Sequence, residues 1–203
     1  MKSVYDYLQP LNEAPRRMSG DAPFPEESVW FIKEIDSKIL SKDFIEVKEA
    51  FPLGLMLYEE KKDPKEYFVV GKFNEDKSKF IVFTELTISY LPNSDTKLLK
   101  DKKLCSIDTI QTTTNWRGHG ISTTLYTYLL KRGYTVLSDD TQYQGAIKLW
   151  KSFYRKLHNC KMYVMDVEED RIVMSYTDKT SDSHIWSDNG DKEHIRLVLT
   201  PKN

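Results

Sequence analysis

Between Lys103 and Leu157 the hydrophobic pattern switches from strand to helix, back to strand and again to helix, and this order constrains the fold more than any other feature. Lys103 to Thr112 reads as a strand, and Ile121 to Lys131 carries Leu125, Tyr128 and Leu129 at helical intervals. Thr135 to Ser138 is a short strand, and Gly145 to Leu157 is a second helix with Ile147, Leu149, Trp150, Phe153 and Leu157 inside. A helix that carries the chain between two strands of one sheet requires those strands to run parallel. Gly133 stands where a helix ending near Lys131 needs a left-handed residue.

The flanking sequence is rich in β-branched and aromatic residues. Val29 to Ile35, Leu53 to Tyr58, Tyr67 to Phe73 and Phe80 to Tyr90 read as antiparallel strands, separated by the turns Lys61 to Lys65 and Asn74 to Lys77. Met162 to Val167 and Arg171 to Tyr176 flank Glu168-Glu169-Asp170 as a hairpin, and His194 to Leu199 is a final strand after Ser187-Asp188-Asn189-Gly190. Asp36 to Pro52 reads equally as helix or strand. Pro10, Pro15, Pro23 and Pro25 break up the first 28 residues, which are expected to form an irregular tail with a helical turn near Val4 to Leu8. A single domain is expected over 29–203, with its motif core at 103–157. Within Lys103 to Thr112 the apolar Leu104, Ile107 and Ile110 fall three apart, not two. A β-bulge reconciles that spacing with a strand, and bulges are common beside active sites.

Lys+Arg at 30 against Asp+Glu at 31 leaves a net charge of -1, so no global field recruits nucleic acid or an anionic membrane. No run approaches the roughly 20 apolar residues of a membrane span, and Met1 to Pro10 lacks the apolar core of a signal peptide. A cytoplasmic protein without membrane contact is expected. Cys105 and Cys160 form no disulfide framework or zinc spacing and read as reduced thiols. His119, His158, His184 and His194 share no metal-ligand spacing, and Asp166, Glu168, Glu169 and Asp170 read as a charged turn before a cation site.

The junction Asn115 to Leu125 places Arg117, Gly118 and Gly120 where a strand gives way to a helix. Helix starts present unpaired amides and about half a positive charge, and so bind anions. A Walker loop needs Lys-Ser/Thr after its last glycine, which is missing here. A dinucleotide fingerprint needs a third glycine where Thr123 stands, and an early βαβ unit. Arg117-x-x-Gly120-x-Ser122 instead resembles the Gln/Arg-x-x-Gly-x-Gly/Ala signature of the Gcn5-related N-acetyltransferase superfamily. Gly145-Ala146-Ile147-Lys148-Leu149-Trp150 is similar to the family's later Ala-x-x-Leu-Tyr helix, with Trp150 for Tyr, and Leu137 to Trp150 looks like a branch often encoded by bacteriophages. The resemblance covers about Leu104 to Leu157 and hardly reaches residues 1–50.

The resemblance implies an α+β, three-layer fold: a mixed, mostly antiparallel central sheet with a splayed parallel pair and helices on both faces. It implies acetyl-coenzyme A as donor and an amine, on a small molecule or a protein, as acceptor. Amides of Gly118, His119, Gly120, Ile121 and Ser122 would hold the pyrophosphate, with Arg117 turned inward or paired with phosphate. The backbone of Ile110, Gln111 and Thr112 would pair with the pantetheine arm as an added strand does, and the thioester would lie between that strand and Thr135 to Ser138. His119 is either a phosphate contact or a solvated loop residue, and Trp116 either a lid or a core wedge. Asp108 and Glu85, then Asp139, are candidates to take the amine's proton. The family's thiolate-protonating Tyr is replaced by Trp150, leaving Tyr154, Tyr143 or water. The same replacement favours a rival reading: a coenzyme-binding protein with little or no turnover, acting on a partner or host protein. A nucleic-acid-modifying transferase is disfavoured by charge, and the choice between monomer and homodimer is open.

Overall fold

The structure, a computed structural model, describes residues 32–48, 51–91, 99–100, 102–139, 142, 144–186 and 194–202. The expected tail, its helical turn, residues 29–31 of the first strand and the turn at 187–190 lie outside the described residues. The chain is mixed α+β, with ten strands paired mostly antiparallel and, among the described residues, three α-helices. Its contacts divide the described residues into two compact units, one of 32–89 with 107–126, the other of 90–106 with 127–202.

The first unit opens with β1 (Glu34–Asp36) and α1 (Ser37–Asp43), whose first turn is capped by the Asp36 carboxylate accepting from Lys38 N at 2.8 Å. β2 (Ile45–Val47), β3 (Met56–Lys62), β4 (Lys65–Phe73) and β5 (Lys79–Tyr90) follow as an antiparallel series, with β1 paired to the start of β5. The ambiguous segment 36–52 is thus a short helix followed by an edge strand. The strand expected from Leu53 starts at Met56, because Pro52–Gly54 forms a 3₁₀ turn with Leu53 and Gly54 at φ 61° and 68°. The turn expected over Lys61 to Lys65 is tighter: Lys62 pairs with Lys65, leaving only Asp63-Pro64 as the loop. Ile35 and Leu40 pack with Tyr58, Val69, Phe80 and Val82 in one buried cluster.

β5 carries an irregularity of its own. Val70 pairs with Thr84 but Gly71 with Val82, so Phe83 is an extra residue. A Cβ on Gly71 would lie 1.9 Å from the Ile81 carbonyl oxygen, so this close passage admits only glycine.

β6 (Lys103–Thr112) gives its last six residues to the first unit, as α2 (Ile121–Lys131) gives its first six. Both elements match their expected bounds. The Ser89 hydroxyl reaches Asp108 at 2.7 Å, while Thr84 and Thr112 meet through their hydroxyls at 3.0 Å. Residues 84 and 89 of a regular strand point to opposite faces, whereas 108 and 112 point to the same one. β4 holds Thr84 to Ser89 in unbroken register. The irregularity therefore falls in β6 between Asp108 and Thr112, as its apolar spacing predicts.

The second unit takes Lys103 to Ser106 of β6, which pair in parallel with β7 (Tyr134–Leu137). α3 (Gln144–Lys156), β8 (Cys160–Asp166), β9 (Arg171–Ser175) and β10 (Ile195–Pro201) complete it, in the antiparallel order β7-β10-β8-β9. The α2 helix ends as expected, with Gly133 at φ 80° and its N–H on the Leu130 carbonyl. Leu99, Leu104, Leu137, Met165, Val167 and Val198 form the buried core of this unit. The parallel register stops at Ser106 opposite Leu137, and β6 runs on to Thr112 without β7 beside it. No helix among the described residues is long and apolar enough to cross a membrane.

Candidate functional site

The loop from Thr113 to Gly120 is held on the first unit by three kinds of contact. Trp116 stacks on Phe83 with centroids 4.1 Å apart and planes at 15°. The Arg117 Nε–H donates to the Thr112 carbonyl at 3.0 Å, and His119 Nδ1 lies 3.1 Å from the Arg117 carbonyl, with its ring tilted against Trp116. Trp116 is half-buried, so the wedge reading describes it better than the lid. Its partner Phe83 is the residue that the β5 irregularity re-aims. Arg117, expected to turn inward or to pair with phosphate, uses its Nε–H to fasten the loop to the end of β6.

Gly118 and Gly120 adopt φ of 80° and 81°, where an L side chain is strained, and a Cβ on either would find nothing within 4 Å. The first helical bond runs from Thr124 N to the Gly120 carbonyl. Among the described residues the amides of Gly118 to Ser122 have no backbone acceptor, as expected of a loop and first turn. The open space beside both glycines lies along this run of donors. Beneath it the hydroxyls of Thr84, Thr112 and Ser122 form a line at 3.0 Å and 3.5 Å, the second at the limit of a hydrogen bond. The buried Thr113 hydroxyl at the head of the loop has no partner. Two of these features fit a polyanion: a run of N–H donors and glycines that leave room beside it.

Two of the candidate carboxylates share the unit with this loop. Glu85 stands on β5 opposite Val69, buried beside the apolar cluster, and its Oε2 accepts the Ile32 N–H at 3.2 Å. Burial pushes its pKa above the ordinary carboxyl value, against the smaller effect of the Ile32 bond. Asp108 on β6 is differently placed. Its Oδ2 takes the Ser89 hydroxyl at 2.7 Å and the Lys65 ammonium at 2.8 Å, and the Lys65 pKa is raised chiefly by that hydrogen bond. These two contacts make Asp108 a tie between β4, β5 and β6.

Asp139, Trp150 and Tyr154 belong to the second unit. The Asp139 carbonyl accepts from Gln142 Nε2 at 3.3 Å. Trp150 is 2% exposed and packs edge-on against Phe153 at 5.6 Å, as a core residue. Tyr154 is 42% exposed, with its ring against Tyr176 at 5.7 Å. Tyr143 lies outside the described residues. The acidic turn between β8 and β9 is organised by Asp166 Oδ1 accepting the Glu169 N–H, and no cluster of three potential metal ligands occurs among the described residues. Both cysteines are buried and neither forms a disulfide.

Three participants escaped the sequence reading. Phe83 looked like one apolar residue of a strand, Lys65 like part of a turn, and Thr84 like strand filler. An odd step between polar contacts on neighbouring strands reveals all three, and it becomes visible only when the strands are paired.

No protein-family model matches the chain, and no curated protein does.

Proposed function

We propose that the chain is an acetyl-coenzyme A-dependent N-acyltransferase, in which the loop Gly118 to Ser122 holds the coenzyme's pyrophosphate. One observation carries this reading: β6 outruns its parallel partner at Ser106 and continues through a 3₁₀ turn into a two-glycine loop whose amides have no backbone acceptor among the described residues. A strand edge followed by a row of amides suits a long ligand with an amide-bearing arm and a diphosphate. On this reading Ile110, Gln111 and Thr112 pair through their backbone with the arm, and Gly118, His119, Gly120, Ile121 and Ser122 face the phosphates. Arg117 adds charge at the rim while fastening the loop, which is a smaller role than direct pairing.

Acyl transfer forms a C–N bond to the amine and breaks the C–S bond, releasing a thiolate, while the amine gives up a proton. Glu85 is the better acceptor for that proton, because burial disfavours its charged form and so strengthens it as a base. Asp108 becomes a structural partner of Lys65 and Ser89. Among the described residues Trp150 is packed in a core and its indole is not a useful acid, and Tyr154 rests against Tyr176, so neither is assigned the thiolate's proton. Water then serves, because a thiolate is stable enough to leave before it takes up a proton.

The Trp150 replacement also supports the second reading, a coenzyme-binding protein with little turnover that acts on another protein. Thiol release from acetyl-coenzyme A across a panel of amines separates the two. Calorimetric binding without release from any amine favours the second reading. If the wild type fails to bind coenzyme A, or Gly120→Glu binds it equally well, both fall. Mass-spectrometric comparison of cells expressing the chain or Gly120→Glu identifies the acceptor.

A further inference from the structure

We propose that the second unit carries a separate binding site for a small aromatic monophosphate, such as a free mononucleotide, in a cleft beside the start of β8. The cleft exists because β9 is shorter than β8. Their register begins at Tyr163 opposite Ser175, and after the Tyr176 N–H meets the Met162 carbonyl at 2.9 Å the chain turns away. Cys160 and Lys161 are therefore left without a β9 partner. The end of α3 stands on the other side of the opening, which holds about 340 Å³. Small-ligand pockets span about 300–1,000 Å³. The cleft lies at the lower bound, which fits one ring with one charged group and is too small for a whole coenzyme.

Its lining sets the ligand's chemistry. His158, Lys161 and Lys202 bring two ammonium groups and a titratable ring to the rim, and no carboxylate lines the cleft among the described residues. Lys202 is held in place, with its Nζ donating to the His158 carbonyl at 2.7 Å and its N–H to the Asn159 carbonyl at 2.9 Å. Two ammonium groups with an adjacent imidazole suit a dianionic phosphate. Three tyrosines, Tyr154, Tyr163 and Tyr176, line it together with Leu157 and Met162. Tyr154 forms a T-shaped pair with Tyr176 and is 42% exposed, which leaves part of its ring open to an aromatic ligand. Burial, aided by Asp182 and Asp178, keeps Tyr176 a neutral phenol able to donate a hydrogen bond. Asp182 is itself neutralised by Lys151 at 2.7 Å.

Titration calorimetry with adenosine monophosphate, phenyl phosphate, adenosine and inorganic phosphate tests the site on the full chain. Both aromatic phosphates are expected to bind at one equivalent, with adenosine and phosphate weaker by about tenfold or more. Lys161→Glu is expected to keep the wild-type melting temperature and Tyr154→Ala, which loses its ring contact with Tyr176, to lower it by a few degrees; each is expected to weaken adenosine monophosphate binding about tenfold. Gly120→Glu is expected to bind it as the wild type does, which separates this cleft from the glycine loop. The proposal falls if neither aromatic phosphate binds at millimolar concentration, or if adenosine binds as tightly as its monophosphate. It also falls if both cleft variants bind like the wild type, or if Gly120→Glu abolishes binding.

Discussion

Replacing Gly120 by Ala separates a glycine kept for a ligand from one kept for the fold. At φ 81° an alanine bears left-handed strain of about 1–2 kcal/mol, and nothing lies within 4 Å of its Cβ to add a clash. The lower freedom of the unfolded chain returns about 0.4–1 kcal/mol. The net loss of about 1 kcal/mol lowers the melting temperature by about 2–4 °C in a chain of this size. Coenzyme binding should suffer more, because the methyl group occupies the open side of the loop and keeps phosphate oxygens from the amides. Loss of one charge-assisted hydrogen bond, about 1.5–3 kcal/mol, already weakens binding about tenfold or more. Gly71 supplies the contrast. There the Cβ would sit 1.9 Å from the Ile81 carbonyl oxygen, a backbone atom that cannot swing aside, so Gly71→Ala should fail to fold or melt far below Gly120→Ala. Thermal melts and calorimetry with coenzyme A read both quantities. Wild-type coenzyme affinity in Gly120→Ala, or a melting loss as large as that of Gly71→Ala, would refute the reasoning.

Glu85→Gln tests the buried carboxylate. Its folded pKa lies above the unfolded value near 4.5, so the native state binds that proton more tightly, and the wild type should lose stability relative to the variant as pH rises through that interval. Urea melts at about pH 4 and about pH 7 that give the same difference would rule this out. The same variant should slow amine acetylation, whereas Asp108→Asn, which touches an ion pair worth about 0–1 kcal/mol, should leave turnover within a fewfold of the wild type. Trp116→Ala removes a ring stack worth about 0.5–1.5 kcal/mol along with its apolar burial, and loosens the loop; coenzyme affinity should fall more than for Trp116→Phe, and equal affinities would dismiss the pinning role.

The elements that could be read from sequence are those whose signals are local. β6 and α2 were legible to the residue, because a polar two-glycine junction separates a β-rich run from a helical hydrophobic period. The bulge in β6 was legible too, since a three-residue apolar spacing inside a strand conflicts with its two-residue period. Segment 36–52 was not. Its seven-residue helix is too short to show an amphipathic period and is held by one buried residue, Leu40, against a cluster assembled from distant strands. The start of β3 failed for a related reason: Leu53 is a good strand residue by composition, yet it takes a left-handed conformation in a turn set by its neighbours Pro52 and Gly54.

Within the candidate site the same division holds. The amides and glycines were legible, because backbone geometry at a helix start follows from sequence position alone. The two carboxylates were found but could not be ranked, since their chemistry depends on cross-strand neighbours. Glu85 faces Val69 and is desolvated, while Asp108 faces Lys65 and Ser89 and is already bonded twice. Register decides between them: the β4–β5 pairing that puts Lys65 opposite Ser89 also puts Val69 opposite Glu85. A shift of one residue in that pairing would turn β4's side chains to the other face and change what lies beside both acids. The Phe83 irregularity absorbs its extra residue outside the span from Thr84 to Ser89, so this register stays intact while Phe83 is freed to carry Trp116 and the loop. One inserted residue in β5 thus fixes the position of the two-glycine loop without disturbing the register that buries Glu85.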